Sequence, residues 1–177
     1  MKRTFSLIAL GLISSSAMAN SIINFEGTVS AAGTCSIDVV TPGGPSLSKI
    51  FLGDFKTKDF SAIGQKTEPV RFALRVDHGC KTDPAHEGYV TYKANYGADV
   101  SGKLYSLISG VGYSDGLALA IFDEKGTQLD PGAESQGYAL SDSAPTDLNF
   151  FARLQTTAAT VTEGQIRTSV NYLVDIR

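Results

Sequence analysis

The chain has 177 residues, 42% of them hydrophobic, with fifteen basic against eighteen acidic side chains. That length suits one domain around one sizeable core and leaves little room for a second. A net charge of −3 argues against nucleic acid as a partner, because its binders concentrate basic surface.

Residues 1–19 read as a removable export signal. Lys2 and Arg3 give a basic start, Phe5 to Ile13 an apolar run, and Ala17-Met18-Ala19 a small-residue cleavage site. The apolar run is about half the roughly 20 residues a membrane span needs, and no later stretch reaches that length without glycine or charge. No membrane insertion is therefore expected.

Directly behind the signal, Ile23, Phe25, Gly27 and Val29 alternate with other residues and share one face of an extended segment. This strand has no obvious home, because only Ser30 to Thr34 separate it from the next strand, which begins near Cys35. It either pairs within its own sheet or serves another chain. Cys35 and Cys80 are the two cysteines. In an exported protein they are expected to form a disulfide, since two cysteines without CxxC spacing make a poor zinc or redox site.

Pro42-Gly43-Gly44-Pro45 and Asp130-Pro131-Gly132 are turn chemistry, and residues 97–116, rich in Gly and Ser, read as a long connection. Between them the chain keeps period two. Val70, Phe72, Leu74 and Val76 form one apolar face; Leu117, Leu119 and Ile121 form another, followed by a turn at Asp123-Glu124-Lys125-Gly126 and the return Gln128-Leu129. Leu148, Phe150, Ala152 and Leu154 oppose Asn149, Phe151, Arg153 and Gln155. The longest run, Ile166, Thr168, Val170, Tyr172, Val174 and Ile176, stops one residue before Arg177. Many short strands separated by turns predict an all-β, two-sheet sandwich with Greek-key connections, of immunoglobulin-like type.

No catalytic residue, metal ligand or cofactor site is assigned. Gly112-Tyr113-Ser114-Asp115-Gly116 matches the G-x-S-x-G elbow of α/β-hydrolases. The elbow needs a helix after its serine, however, whereas Leu117 to Asp123 reads as strand. Both histidines, His78 and His86, also precede Ser114, which rules out the order serine, acid, histidine. With Asp77 and Asp83 these histidines lack metal-ligand spacing and read as solvated loop residues.

Across its whole mature length the chain resembles the subunits of chaperone-usher pili, of which type 1 and P pili are the familiar members. The resemblance rests on Ile23-x-Phe25-x-Gly27-x-Val29 followed by Cys35-Ser36-Ile37, on Gly116 to Asp123, and on Leu148-Asn149-Phe150-Phe151-Ala152-Arg153-Leu154. It also rests on Val161-Thr162-x-Gly164, with Gly164 fourteenth from the end, and on the alternating strand that closes the chain. One departure is Ile176, where such subunits commonly have a penultimate Tyr.

The resemblance implies an incomplete immunoglobulin-like sandwich lacking its last strand, completed by a donor strand, and a structural role in a fimbria that supports cell adhesion. Strand addition of this kind has chaperone–pilin pairs as its standard example. Residues 20–34 would be the donor extension, with Ile23, Phe25 and Val29 filling a neighbour's groove and Gly27 allowing close backbone approach. Residues 35–177 would be the pilin domain, whose last strand presents Ile166, Val170, Tyr172, Val174 and Ile176 as a groove wall. The Arg177 carboxylate would be gripped by basic residues of a periplasmic chaperone. Further implied partners are an outer-membrane usher and neighbouring subunits, and the route runs through the periplasm to the cell-surface fimbria. Two-domain tip adhesins are longer, so a shaft, adaptor or terminating subunit is expected. The alternative is a single-domain, lectin-like secreted binding module that keeps its first strand; a complete sandwich in the isolated mature monomer, with its own leading residues filling every gap, would overturn the donor-strand reading.

Overall fold

The computed structural model describes residues 21–27, 36–78, 80 and 87–177, with residues 21–27 described as backbone only. The signal segment, Val29, Cys35, Asp83 and His86 lie outside the described residues.

The strands, in chain order, are β1 (Ser21–Gly27), β2 (Ile37–Val40), β3 (Ile50–Phe51), β4 (Val70–Val76), β5 (Glu87–Ala94), β6 (Tyr105–Ser106), β7 (Leu117–Asp123), β8 (Gln128–Leu129), β9 (Tyr138–Ala139), β10 (Thr146–Thr156) and β11 (Ile166–Ile176). They form two sheets. One runs β3-β1-β11-β5-β9, and the other runs β2-β4-β10-β7-β6 with β8 added to β7. The all-β sandwich expected from period two is what the chain adopts.

The facing sides follow from strand alternation. Leu148, Phe150, Ala152 and Leu154 of β10 are at most 1% exposed, as are Phe72, Leu74 and Val76 of β4. The centre of the core is aromatic and drawn from both sheets. Phe150 stacks on Phe72 at 5.7 Å and meets Tyr92 edge-on at 5.3 Å and Tyr138 at 5.5 Å. Offset and edge-to-face pairs are the favoured aromatic geometries.

Strand β7 departs from the half-buried pattern, since Ala118 and Ala120 are buried as fully as Leu119 and Ile121. Leu104, from the connection before it, packs on the two alanines on the sheet's far side. The hairpin after β7 forms where its turn residues place it. The Asp123 carboxylate accepts the Lys125 and Thr127 N–H groups at 3.0 and 2.7 Å, and Gly126 takes φ +84°. In the same sheet β4 is fastened to the start of β10 by Arg75, which donates twice to Asp147 at 2.7 and 2.9 Å. That bidentate hydrogen bond, aided by the Gly43 N–H, holds the Asp147 carboxyl below its usual range despite partial burial.

Candidate functional site: the slot between β3 and β11

The body of the domain, residues 36–177, leaves a gap between β3 and β11. Those two strands do not pair with each other; each pairs with β1. Strand β1 runs parallel to β11, with Ser21 opposite Ile166, Ile23 opposite Thr168, Phe25 opposite Val170 and Gly27 opposite Tyr172. On its other side it meets β3 antiparallel, Ile22 against Phe51 and Ile23 against Ile50. The body is thus one strand short, and in this single chain the leading segment supplies that strand to its own body. This arrangement is the self-paired one of the two that the sequence left open.

The slot's long wall is β11. Ile166, Thr168, Val170, Tyr172, Val174 and Ile176 face inward, with exposures of 8% or less, as the alternation required. The Tyr172 hydroxyl donates to the Ile37 carbonyl at 3.3 Å, tying the wall to the start of β2. Ile176 fills its inward position with an aliphatic side chain, so the apolar alternation survives the loss of a phenol. On its other side β11 is held along Val170–Ile176 by β5.

The C-terminal residue is part of this ladder. The Glu87 N–H donates to the Arg177 carbonyl at 3.0 Å, and the Arg177 N–H donates back at 3.1 Å. The guanidinium meets Glu134 at 2.6 Å and Asp175 at 3.0 Å, and lies 4.1 Å from the Tyr89 ring centroid. The chain end therefore sits among acidic side chains.

At the other end of β11, two loops clasp each other and fix where the wall begins. The Ser114 N–H donates to the Gln165 carbonyl at 3.0 Å, and the Gln165 N–H to the Gly112 carbonyl at 2.8 Å. The Ser114 hydroxyl donates to the Thr162 carbonyl at 2.8 Å, and the Thr162 hydroxyl accepts the Asp115 N–H at 2.8 Å. Ser114 is 4% exposed. The G-x-S-x-G match is thereby explained as a loop clasp, with its serine already engaged and a strand, not a helix, after it. His78 is exposed and lies 2.7 Å from Asp77; among the described residues no cluster of metal ligands occurs. Cys80 is buried, and its expected partner Cys35 lies outside the described residues. A cleft of about 400 Å³ opens beside the clasp, lined in part by Tyr96, Asp99 and Asp115.

A sandwich with a strand-wide slot beside its terminal strand defines the pilin class. The family model for fimbrial proteins matches residues 23–177, and the chain belongs to that family: it is a structural, non-enzymatic subunit of a cell-surface fimbria that polymerises with other subunits. Solved structures agree on the fold. The P pilus rod subunit PapA superimposes with TM-score 0.60 at 18% identity, over 82% of this chain and all of that one. A subunit from a chaperone-usher pilus structure concerned with rod uncoiling gives 0.59 at 16%, over 98% and 100%. A type I fimbria protein of Burkholderia pseudomallei gives 0.51 at 21%, over 90% and 92%. No curated protein sequence matches the chain.

Proposed function

We propose that the chain joins its fibre by donor-strand exchange of the chaperone-usher type. Residues 20–34 act as the donor extension, the slot between β3 and β11 is the acceptor, and the domain proper is 35–177. The observation that carries this reading is the slot itself, whose two walls meet only through a strand that is contiguous with neither. Cis occupancy by β1 fits a lone chain. An open slot exposes apolar surface and unpaired backbone, and the only strand an isolated molecule can offer is its own. A parallel pair is also slightly the weaker kind, so β1 can be displaced by a better strand in trans.

In this scheme Ile23, Phe25 and Val29 of one subunit enter the slot of the next, and Gly27 permits close approach to the wall. Each apolar side chain fully buried contributes roughly 1.5–3 kcal/mol. Before assembly a periplasmic chaperone covers the slot, and its basic residues meet the carboxylate of Arg177, a residue whose place at the end of β11 is set by its paired backbone bonds with Glu87. An outer-membrane usher then hands the subunit to the fibre. The route runs through the periplasm, after removal of residues 1–19.

The self-contained, lectin-like reading has the cis strand and the cleft beside Tyr96 in its favour. Deleting Ser21 to Val29 separates the two. Donor exchange predicts a subunit that still folds with its chaperone but fails to add to its predecessor; a truncated chain that cannot be recovered folded even with chaperone would support the self-contained module. Gly27→Arg, which spares most of the segment, is expected to stop assembly without unfolding the domain.

A further inference from the structure

The outer face of the six-stranded sheet carries a feature that the slot does not use. Strand β10 turns Phe151, Arg153 and Gln155 away from the core. Register places Arg71 of β4 and Phe122 of β7 on either side of Phe151, Ala120 opposite Arg153, and Lys66 beside Gln155. The Arg71 guanidinium lies 5.4 Å from the Phe151 ring centroid, and the Lys66 ammonium 5.0 Å from that of Phe122. Arg71 and Lys66 are exposed and Arg153 is half-buried. Among the described residues none of the three cations has a carboxylate partner, and Glu68, the one acid in the 66–71 segment, forms no ion pair with them. Arg75, a fourth cation of this sheet, is neutralised by Asp147.

We propose that this face binds a linear anionic polysaccharide, sulfated or uronate-bearing. Stacking on phenyl rings holds two long cationic side chains in place before any ligand arrives, which removes part of the ordering cost of binding. The Lys66 ammonium over Phe122 and the Arg71 guanidinium over Phe151 flank one cross-strand ring pair, and Arg153 follows two positions further along β10. Presented once per subunit along a fibre, that patch suits a chain with repeated charges better than a single compact anion. The complementarity is local, because the protein as a whole carries more acidic than basic groups. A nucleic-acid duplex would meet that acidic remainder and is disfavoured. Repetition of the face along a fimbria would convert weak single contacts into firm attachment.

The test is retention of the purified exported chain on immobilised dextran sulfate and on polygalacturonate, with neutral dextran as control. Retention on either anionic matrix and not on neutral dextran is expected, and the stronger of the two identifies sulfate or carboxylate as the preferred group. The triple variant Lys66→Ser, Arg71→Ser, Arg153→Ser should bind at least tenfold more weakly, whereas Lys49→Ser with Lys93→Ser, on the other sheet, should bind as the parent does. Arg153→Ser alone, expected to lose severalfold, serves if the triple variant does not fold. Undiminished binding by the folded variants overturns the proposal, as does an equal loss in the Lys49 and Lys93 pair. Unchanged polysaccharide binding with loss of side-by-side fibre bundling would also overturn it, assigning the face to a second copy. Retention on single-stranded DNA equal to that on both polysaccharides would overturn the ligand class.

Discussion

Gly164 shows how much a single position can demand. Its φ of +154° lies where residues with side chains are rarely found, and an added Cβ would run into the Tyr113 carbonyl carbon and the Ser114 nitrogen. Gly116 is confined in a similar way, with the Thr160 carbonyl oxygen 2.5 Å from where a Cβ would stand. Both belong to the clasp that sets the start of β11. Since the obstructing atoms are backbone, neither can swing aside. Gly164→Ala is expected to cost at least about 2 kcal/mol through strain and overpacking, read as a lowered midpoint in denaturant unfolding; a midpoint equal to the parent's would show that the loop relaxes. The position of Gly164 was noticeable in the sequence from its spacing to the chain end, but the reason for it was not. Contact between residues 113 and 164 depends on two loops far apart in the chain, and no local pattern encodes that.

At the scale of the strand, legibility followed burial on one face. Strands β10 and β11 alternate cleanly because one side meets core and the other water, and their inward residues named from period two are the buried ones; in β4 Phe72, Leu74 and Val76 are buried as named, but so is Ala73 on the other face, and Val70 is half-buried. Strand β5 was passed over although Val90 and Tyr92 are fully buried, because the polar loop before it obscures its start. The two-residue strands β3, β6 and β9 are too short to show any period. They exist because longer neighbours offer unpaired edges, and tertiary context makes such pairings. The placement of β1 was visible only as a choice, since its pattern fits any slot of suitable width. Ile23→Pro addresses that placement, as Ile23 pairs with both Thr168 and Ile50 and proline can serve neither ladder well. It should release β1 and speed hydrogen exchange at least tenfold for those β11 amides in Arg167–Tyr172 that point toward β1. Amides turned toward β5 should stay protected. Equal protection on both edges would mean that β1 does not hold the slot.

Across the whole molecule the question is what fastens the leading segment to the body. Cys80 is buried at 4% exposure, and its expected bridge to Cys35 would span 44 intervening residues. In the chain-entropy account a loop of that size contributes roughly 4 kcal/mol. Cys35→Ala is accordingly expected to lower unfolding stability by about that amount under oxidising conditions and to leave the chain insensitive to reductant. If the parent and the variant unfold alike before and after reduction, the two cysteines are not bridged. The family itself was legible at this scale because its signals, at the front, the middle and the end of the chain, are spread over the full length of the sandwich.

The pairing of β1 with β11 brings together the first and last strands, nearly the whole described chain apart. Contacts so distant in sequence are reached late, after local hairpins have closed. On the proposed scheme, the slot is for that interval receptive to any extended peptide that arrives first. Strand exchange of the proposed kind would then let timing, and not affinity alone, select between a solitary molecule and a link in a filament.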